Sequence, residues 1–255
     1  MIAYRDFYYP LNVFMHILTC EEGGVRYLHY GLFEQPDESI DAAQERSTEL
    51  LLSRLPPPPA RLLDVGVGLG TTLARLRELG YDAEGITPDA KQAAMARVPV
   101  TVTSFEEYGA PPSRRLDRRR PAAADAGAPF EVILFQESSQ YIDSGALFAR
   151  ARALAPRVLV LDEFASEPGT LHTLDDFLRA AAANGFRLVE DLDLSARAAP
   201  TIHYFQVRFP RYRDALVDDL GLTNEQVDEL IAGGERYINH YHSGAYTYRL
   251  LDLRR

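Results

Sequence analysis

The chain has 255 residues, of which 46% are hydrophobic and 25% charged, and its formal net charge is −10. This length fits one large domain, or a domain with a small lid, and is sufficient to bury a core. An acidic chain is poorly suited to phosphate backbones and anionic membranes, which bind Lys and Arg, so we expect no nucleic-acid or membrane partner. Cys20 is the single cysteine, which excludes an intramolecular disulfide. Because no signal-peptide pattern or apolar run of about 20 residues is present, the sequence predicts a cytoplasmic protein.

Hydrophobic periodicity predicts strands that alternate with helices along most of the chain. We expect strands at 61–65, 81–87, 100–103, 131–135, 157–161, 186–192 and 245–253, with helices at 40–55, 71–79, 90–98, 146–154, 174–184, 209–219 and 223–240. The stretch 109–128 is rich in Pro, Ala, Gly and Arg and predicts an exposed loop. This alternation predicts a doubly wound α/β fold with a mostly parallel, seven-stranded sheet covered on both faces.

A glycine-rich turn follows the first predicted strand, with the pattern Asp64-x-Gly66-x-Gly68-x-Gly70. Glycines at such a strand-to-helix turn let a ligand approach the backbone closely. The dinucleotide fingerprint is G-x-G-x-x-G, whereas here the third glycine comes one residue early and Thr71 stands at the last position. A pyrophosphate cradle is therefore the weaker fit, and a tight turn that binds no ligand is the remaining alternative.

This turn resembles the first motif of the class I S-adenosylmethionine (SAM)-dependent methyltransferases, and the resemblance covers about residues 24–195. It implies the Rossmann-like methyltransferase fold, with SAM as cofactor and S-adenosylhomocysteine (SAH) as product. It also implies that the turn wraps the methionine end and ribose of SAM, with Asp64 near the ammonium group. We expect an N-terminal lid and helix over residues 1–55. A SAM-binding domain with a C-terminal helical and aromatic substrate region is expected over residues 56–255.

The second predicted strand lacks the acid that holds the ribose hydroxyls in most of that family. The pattern Gly-Ile-Thr-x-x-x-x-Gln places Thr87 and Gln92 there, and it resembles the branch that includes cyclopropane-fatty-acid synthases and sterol methyltransferases. In that branch the Thr and the Gln replace the acid, and both can hydrogen-bond a diol. Asp89 is expected to cap the following helix rather than to bind ribose.

Four further residues are candidates for cofactor binding through the same resemblance. Ser104 and Phe105 follow the third strand and would meet the adenine, although Phe105 could equally be a core residue. Gln136 follows the fourth strand, at the start of a polar stretch that closes over the methionine part and faces the substrate. Tyr30, in a His-Tyr-Gly sequence, would reach the cofactor carboxylate, whereas an aromatic core cluster is an equally good interpretation of His29.

The chemistry of methyl transfer limits what the remaining residues must do. The sulfonium already activates the methyl group, so the protein mainly aligns the reactants, excludes water and manages one proton. The candidate catalytic residues are His203, Glu137, Tyr141 and His240, although a surface or packed role remains open for each histidine. Asp162 and Glu163, at the end of the fifth strand, either bind a polar substrate or cap the next segment of the chain. The sequence has no cysteine cluster or helical His pair beside a carboxylate, so we expect no metal.

The many tyrosines near both ends of the chain favour a planar aromatic, heterocyclic or amine substrate. The expected function is SAM-dependent methyl transfer to an N or O atom of such a small molecule. Two alternatives remain: a lipid-modifying methyl or methylene transferase of the cyclopropane-synthase kind, and a SAM-binding partner subunit that does not catalyse. A homodimer is left open.

Overall fold

The computed structural model describes residues 4–35, 37–109 and 129–255. The strands are β1 (Arg61–Val65), β2 (Asp82–Thr87), β3 (Thr101–Val102), β4 (Val132–Gln136), β5 (Arg157–Ala165), β6 (Arg187–Asp193) and β7 (Tyr246–Arg254). The helices are α1 (Leu11–Glu22), α2 (Ile40–Leu52), α3 (Thr71–Glu78), α4 (Ala90–Met95), α5 (Ser144–Leu154), α6 (Leu174–Ala183), α7 (Ser195–Ala198), α8 (Pro200–Gln206), α9 (Arg213–Leu220) and α10 (Asn224–Ser243). Short 3-10 helices span Tyr4–Asp6 and Ser139–Tyr141. Apart from Gly109, the predicted loop at 109–128 lies outside the described residues.

The seven strands form one sheet in the order β3-β2-β1-β4-β5-β7-β6. The pairs β2–β3, β1–β2, β1–β4 and β4–β5 are parallel. The strand order runs outward from β1 in one direction and from β4 in the other, so the chain reverses between these two strands. Ligands of open α/β sheets bind at the carboxyl ends of the strands at such a switch point. The predicted α/β fold with seven strands is confirmed.

The structure extends one predicted element and adds others. β5 continues to Ala165, so Asp162 and Glu163 lie inside the strand and do not end it. The carboxylate of Asp162 is tolerated there because it accepts two hydrogen bonds from Ser139. Neither α1 nor α8 was expected from the sequence. Pro10 lies just before the first turn of α1, where its missing N–H removes no helical hydrogen bond.

The described chain divides into two compact units, each built from three segments. Unit 1 comprises Met1–Arg54, Glu163–Leu174 and Leu192–Leu250. Unit 2 comprises Leu55–Asp162, Asp175–Asp191 and Leu251–Arg255. The expected division at residue 55 into a lid and a SAM-binding domain stays a prediction.

Unit 2 is organised around the parallel strands. β1 and β4 are almost wholly buried, as expected for parallel strands with helices on both faces. The rings of Phe148 in α5 and Phe177 in α6 pack edge-on, with their centroids 4.9 Å apart. At the start of β5, the guanidinium of Arg157 forms a bidentate salt bridge with the carboxylate of Asp252, with N–O distances of 2.8 and 2.9 Å. The ion pair with Asp252 fixes the start of β5.

Unit 1 is mainly helical, and polar contacts fix the segment before α2. Gln44 Nε2 donates to the carbonyl of His29 at 2.6 Å, and His29 Nε2 lies 3.0 Å from Thr48 Oγ1. Burial lowers the pKa of His29 to about 4, so this imidazole is neutral at physiological pH. These contacts indicate a packed, structural histidine. Among the described helices, none is long and apolar enough to cross a membrane.

Candidate cofactor-binding site

The glycine turn connects β1 to α3 at the carboxyl end of the sheet. The φ angles of Gly66, Gly68 and Gly70 are 75°, 54° and 73°, which lie in the left-handed region where other residues are strained. A Cβ atom on Gly66 would lie 2.4 Å from Ser138 Cβ, so this position also lacks room for a side chain. The backbone N–H of Gly66 donates to the carbonyl of Ile86 at 2.8 Å, which ties the turn to β2. The turn is therefore both close-packed and defined in conformation.

Asp64 lies in the middle of the sheet, immediately before this turn. Its backbone pairs with Gly85 of β2 and Leu134 of β4, and only 3% of the residue is exposed. Within the described residues, Asp64 Oδ2 is buried and has no hydrogen-bond partner. Burial raises the pKa of Asp64 to about 7, although the charge of Arg77 partly offsets this effect. A buried carboxylate oxygen without a donor is suited to bind a cation that the protein itself does not supply.

The end of β2 carries the predicted ribose-binding residues. Thr87 is buried, and its Oγ1 accepts a hydrogen bond from the backbone N–H of Asp89 at 3.2 Å. Asp89 caps α4, because its Oδ1 accepts from the backbone N–H groups of Lys91 and Gln92 at 2.8 and 3.2 Å. The interpretation of Asp89 as a helix cap is therefore confirmed. Ribose binding by Thr87 and Gln92 stays a prediction.

Ser104 and Phe105 follow β3, as expected, but they differ in environment. Ser104 is half-buried, and its Oγ accepts from the backbone N–H of Glu107 at 3.3 Å. Phe105 is only 2% exposed, and its ring packs edge-on against Phe135 of β4 at 5.3 Å. The core interpretation of Phe105 is thus supported by its packing, and adenine contact remains a prediction for both residues.

The polar stretch begins at Gln136, which is the last residue of β4 and does not follow the strand as expected, and it continues into a tight, heavily bonded turn. Gln136 Oε1 accepts from Thr72 Oγ1 in the first turn of α3 at 3.0 Å. Glu137 has a φ of 55° and is the one non-glycine residue with positive φ in the described chain. Ser138 Oγ donates to the carbonyl of Val65 at 2.6 Å. The turn after β4 is therefore attached both to α3 and to the end of β1, next to the glycine turn.

A second set of bonds ties the same turn to β5. Both the backbone N–H and the Oγ of Ser139 donate to Asp162 Oδ2, at 2.9 and 2.7 Å, and both residues are buried. The backbone N–H of Glu137 donates to the carbonyl of Leu161 at 2.8 Å. Tyr141, at the end of the turn, is by contrast 81% exposed. The structure thus places Gln136 and Glu137 beside the glycine turn and leaves the Tyr141 ring in solvent.

Two of the predicted residues of unit 1, Tyr30 and His240, lie in aromatic clusters. Tyr30 stacks on the buried Tyr248, with ring centroids 5.6 Å apart and an interplanar angle of 10°. Close to them, Tyr241 OH donates to Glu163 Oε1 at 2.6 Å. Burial, followed by the Glu163 charge, raises the pKa of Tyr241, so this phenol stays protonated and acts as a donor. The first cluster therefore combines aromatic surface with one oriented carboxylate.

The two candidate histidines of unit 1 have different surroundings. His240 stacks on Tyr246 at 4.5 Å, and Tyr237 contacts the same tyrosine ring edge-on at 5.3 Å. His203 is exposed on α8. No group of three or more metal-ligating side chains occurs among residues 4–35, 37–109 and 129–255.

Two of the residues that shape this site were not predicted from the sequence. Thr72 and Ser138 fix the turn after β4, yet neither was singled out. A usable signal was present, because the polar run Gln136–Gln140 directly follows an apolar strand. The pairing of Ser139 with Asp162 carried no signal, because 23 residues separate the two partners in the chain.

No family model matches the chain. An O-methyltransferase of Pyrenophora dematioidea is 28% identical over 199 residues, which are 68% of this chain and 73% of that protein. Among solved structures, the 4+2 cyclase SpnF gives a TM-score of 0.74 at 21% identity and covers 94% of this chain and 92% of its own. The mycolic acid cyclopropane synthase CmaA1, complexed with SAH and CTAB, gives a TM-score of 0.70 at 17% identity, and the match covers 89% of each of the two chains. The chain has the Rossmann-like fold of class I methyltransferases, as predicted, and its O-methyltransferase relative supports the predicted resemblance.

Proposed function

We propose that this chain is a class I SAM-dependent methyltransferase, an enzyme that binds SAM in unit 2 and methylates a small molecule. The observation that carries the proposal is the buried, unpartnered Oδ2 of Asp64 directly before three glycines with positive φ. The ammonium group of SAM would supply the missing donor and a compensating charge. The O-methyltransferase relative and the fold support the same assignment.

In this proposal, residues at the ends of different strands of unit 2 bind different parts of SAM. Asp64 binds the ammonium group, and the backbone of Gly66, Gly68 and Gly70 allows the close approach of the methionine part. Thr87 and Gln92 take the ribose hydroxyls in place of the usual acid. Ser104 and Phe105 serve the adenine, and Gln136 borders the methionine part. Tyr30 stays the sequence-based candidate for the cofactor carboxylate. When bound, SAM supplies an activated methyl group on a sulfonium.

The acceptor in this proposal is a planar aromatic or heterocyclic molecule, or an amine, methylated on N or O. The cluster of Tyr30, Tyr241, Tyr248 and Glu163 in unit 1 supports this class. Its rings offer flat apolar surface, and its carboxylate suits a cationic nitrogen or a hydroxyl group. A substrate screen that yields only long-chain lipids would contradict this part of the proposal.

A proton must leave a hydroxyl or protonated amine acceptor, and four residues remain candidates to receive or position it. Glu137 has the strongest support, because its left-handed backbone is held by surrounding bonds, as is common for residues at functional sites. His240 is half-buried and His203 is exposed. Tyr141 is exposed on the turn after β4 and would act only against a ligand that covers it.

A lipid-modifying methyl or methylene transferase is the second candidate function. The pair Thr87 and Gln92 favours it, as does the structural likeness to CmaA1. The net charge of −10 disfavours work at an anionic membrane surface. A SAM-binding subunit without catalysis is the third candidate.

Two measurements test the proposal. Isothermal titration with SAM and with SAH should show binding of both to the wild-type chain, whereas Gly68→Val should abolish it. Because the φ of Gly68 is 54°, valine also strains the backbone there, so the unfolding midpoint of the variant must be measured alongside. Incubation with isotope-labelled SAM and a metabolite extract, followed by mass spectrometry, then identifies the acceptor. Binding without label transfer would favour the non-catalytic subunit, and unchanged binding by Gly68→Val would contradict the proposed cofactor site.

A further inference from the structure

The turn after β4 adopts a conformation that its own sequence does not favour. A glutamate in the left-handed region costs free energy, on the order of 1–2 kcal/mol, and such a residue persists only where its surroundings enforce it. The surroundings of Glu137 show how this is done. The backbone N–H of Glu137 is bonded to Leu161, and the next two residues are each held through a side-chain hydroxyl.

Asp162 makes a buried contact with this turn through Ser139. One of its carboxylate oxygens accepts from both the N–H and the Oγ of Ser139, at 2.9 and 2.7 Å. Ser139 is fully buried and Asp162 is 3% exposed, so water competes little for these bonds. Charge-assisted bonds of this length are about twice as strong as neutral ones. The pair therefore fixes the position of the turn relative to β5.

The position of this turn matters to the glycine turn, because the two are in direct contact. Ser138 is bonded to the carbonyl of Val65, and its Cβ occupies the space that a Cβ on Gly66 would need. A shift of the turn by a fraction of an ångström would thus be transmitted to the backbone that precedes Gly68. Interfaces packed this closely pass on displacement rather than absorb it.

We propose that Asp162 is a positioning residue of the methyltransferase: it holds the turn Glu137–Tyr141 in place, with Glu137 in its left-handed conformation, and so fixes the glycine turn for SAM. This inference rests on the proposed function. Asp162 acts through Ser139 and is not assigned a contact with SAM or with the acceptor. Its buried carboxylate inside a strand is explained by this role, because a strand core otherwise favours an apolar residue there.

The test compares SAH affinity and the kinetic constants in three variants of the pair. Asp162→Ala removes the acceptor for both bonds, and we expect SAH binding roughly tenfold or more weaker, with a lower kcat. Asp162→Asn keeps one carbonyl oxygen to accept both bonds, and SAH affinity should stay within about threefold of wild type. Ser139→Ala removes one of the two bonds and should give an intermediate value. If Asp162→Ala does not fold, the other two variants still carry the comparison.

Asp252→Asn is the matched control, because it weakens a partly buried ion pair with Arg157 at the opposite end of β5. It should lower the unfolding midpoint but leave the SAH dissociation constant and the KM for SAM unchanged. Equal loss of SAH affinity in Asp162→Ala and in Asp252→Asn would reduce the role of Asp162 to general stability and overturn the inference. Wild-type affinity in Asp162→Ala would also overturn it. Failure of the wild-type chain itself to bind SAH would instead reject the proposed function.

Discussion

Asp64 places an ionisable group in the core of unit 2, where a charge is unfavourable unless a partner balances it. Its pKa, raised to about 7, means that in the ligand-free protein the carboxyl is largely protonated below neutral pH. In the unfolded chain the same group ionises near pH 4. One residue therefore makes the stability of the folded chain depend on pH.

This coupling predicts how stability depends on pH. The pKa of Asp64 is higher in the folded than in the unfolded chain. Its contribution to the free energy of unfolding is therefore fully present below about pH 4 and is lost as the pH rises towards 7. Asp64→Asn should remove this loss, so its stability relative to wild type should increase between pH 4 and 7, by up to about 4 kcal/mol. Denaturant unfolding of both proteins at several pH values measures the difference. A difference that does not vary with pH would contradict the prediction.

The same group predicts the opposite trend for the cofactor. In the proposed site the ammonium group of SAH pairs with the ionised carboxylate of Asp64, so SAH affinity should increase as the pH rises through 7. With a pKa of about 7, SAH should bind roughly tenfold more weakly at pH 6 than at pH 8. Titration calorimetry at both pH values provides the measurement. Asp64→Asn should bind weakly at both and show no such dependence.

At the scale of elements, the site depends on how closely two turns pack. The glycine turn after β1 and the turn after β4 meet at Gly66 and Ser138, where a Cβ on Gly66 would approach within 2.4 Å. The adjoining strand ends are in register, with Val65 opposite Phe135. A substitution at Gly66 or Ser138 in one turn should therefore affect the packing of the other turn.

Gly66→Ala tests this packing. We expect it to destabilise the protein by about 1–3 kcal/mol and to weaken SAH binding, because the new methyl group displaces the turn after β4. Gly185→Ala is the control, since Gly185 has a φ of 85° but nothing within 4 Å of its added Cβ. It should show the backbone strain alone and leave SAH binding unchanged.

A double-mutant cycle tests the contact directly. Adding Ser138→Gly to Gly66→Ala should give a protein more stable than the sum of the two single changes predicts. Strict additivity would argue against the contact.

At the scale of the whole molecule, three separate segments of the chain contribute to each compact unit. Unit 2 contains the proposed SAM residues of the strand ends, and its last segment supplies Asp252 to the ion pair with Arg157. A ligand that binds only the folded unit should stabilise all of these segments together.

We expect SAH to raise the unfolding temperature of the full chain. At 100 times its dissociation constant, SAH should add about 2.7 kcal/mol, which corresponds to roughly 5–10 °C for a protein of this size. Differential scanning calorimetry over a range of SAH concentrations measures the shift. The shift should disappear in Asp64→Asn, and its persistence there at full size would argue against Asp64 as the ammonium partner.

The parallel α/β fold, the glycine turn and the cap at Asp89 could all be predicted from the amino-acid sequence. Each depends on periodicity or on turn chemistry within a few residues, and such local preferences can be read along the chain. The extension of β5, the burial of Asp64 without a partner and the pairing of Ser139 with Asp162 emerged only in the folded chain. Burial and long-range hydrogen bonds depend on which strands become neighbours, and the turn at 138–139 bonds to both Val65 and Asp162 only once β4 lies between β1 and β5.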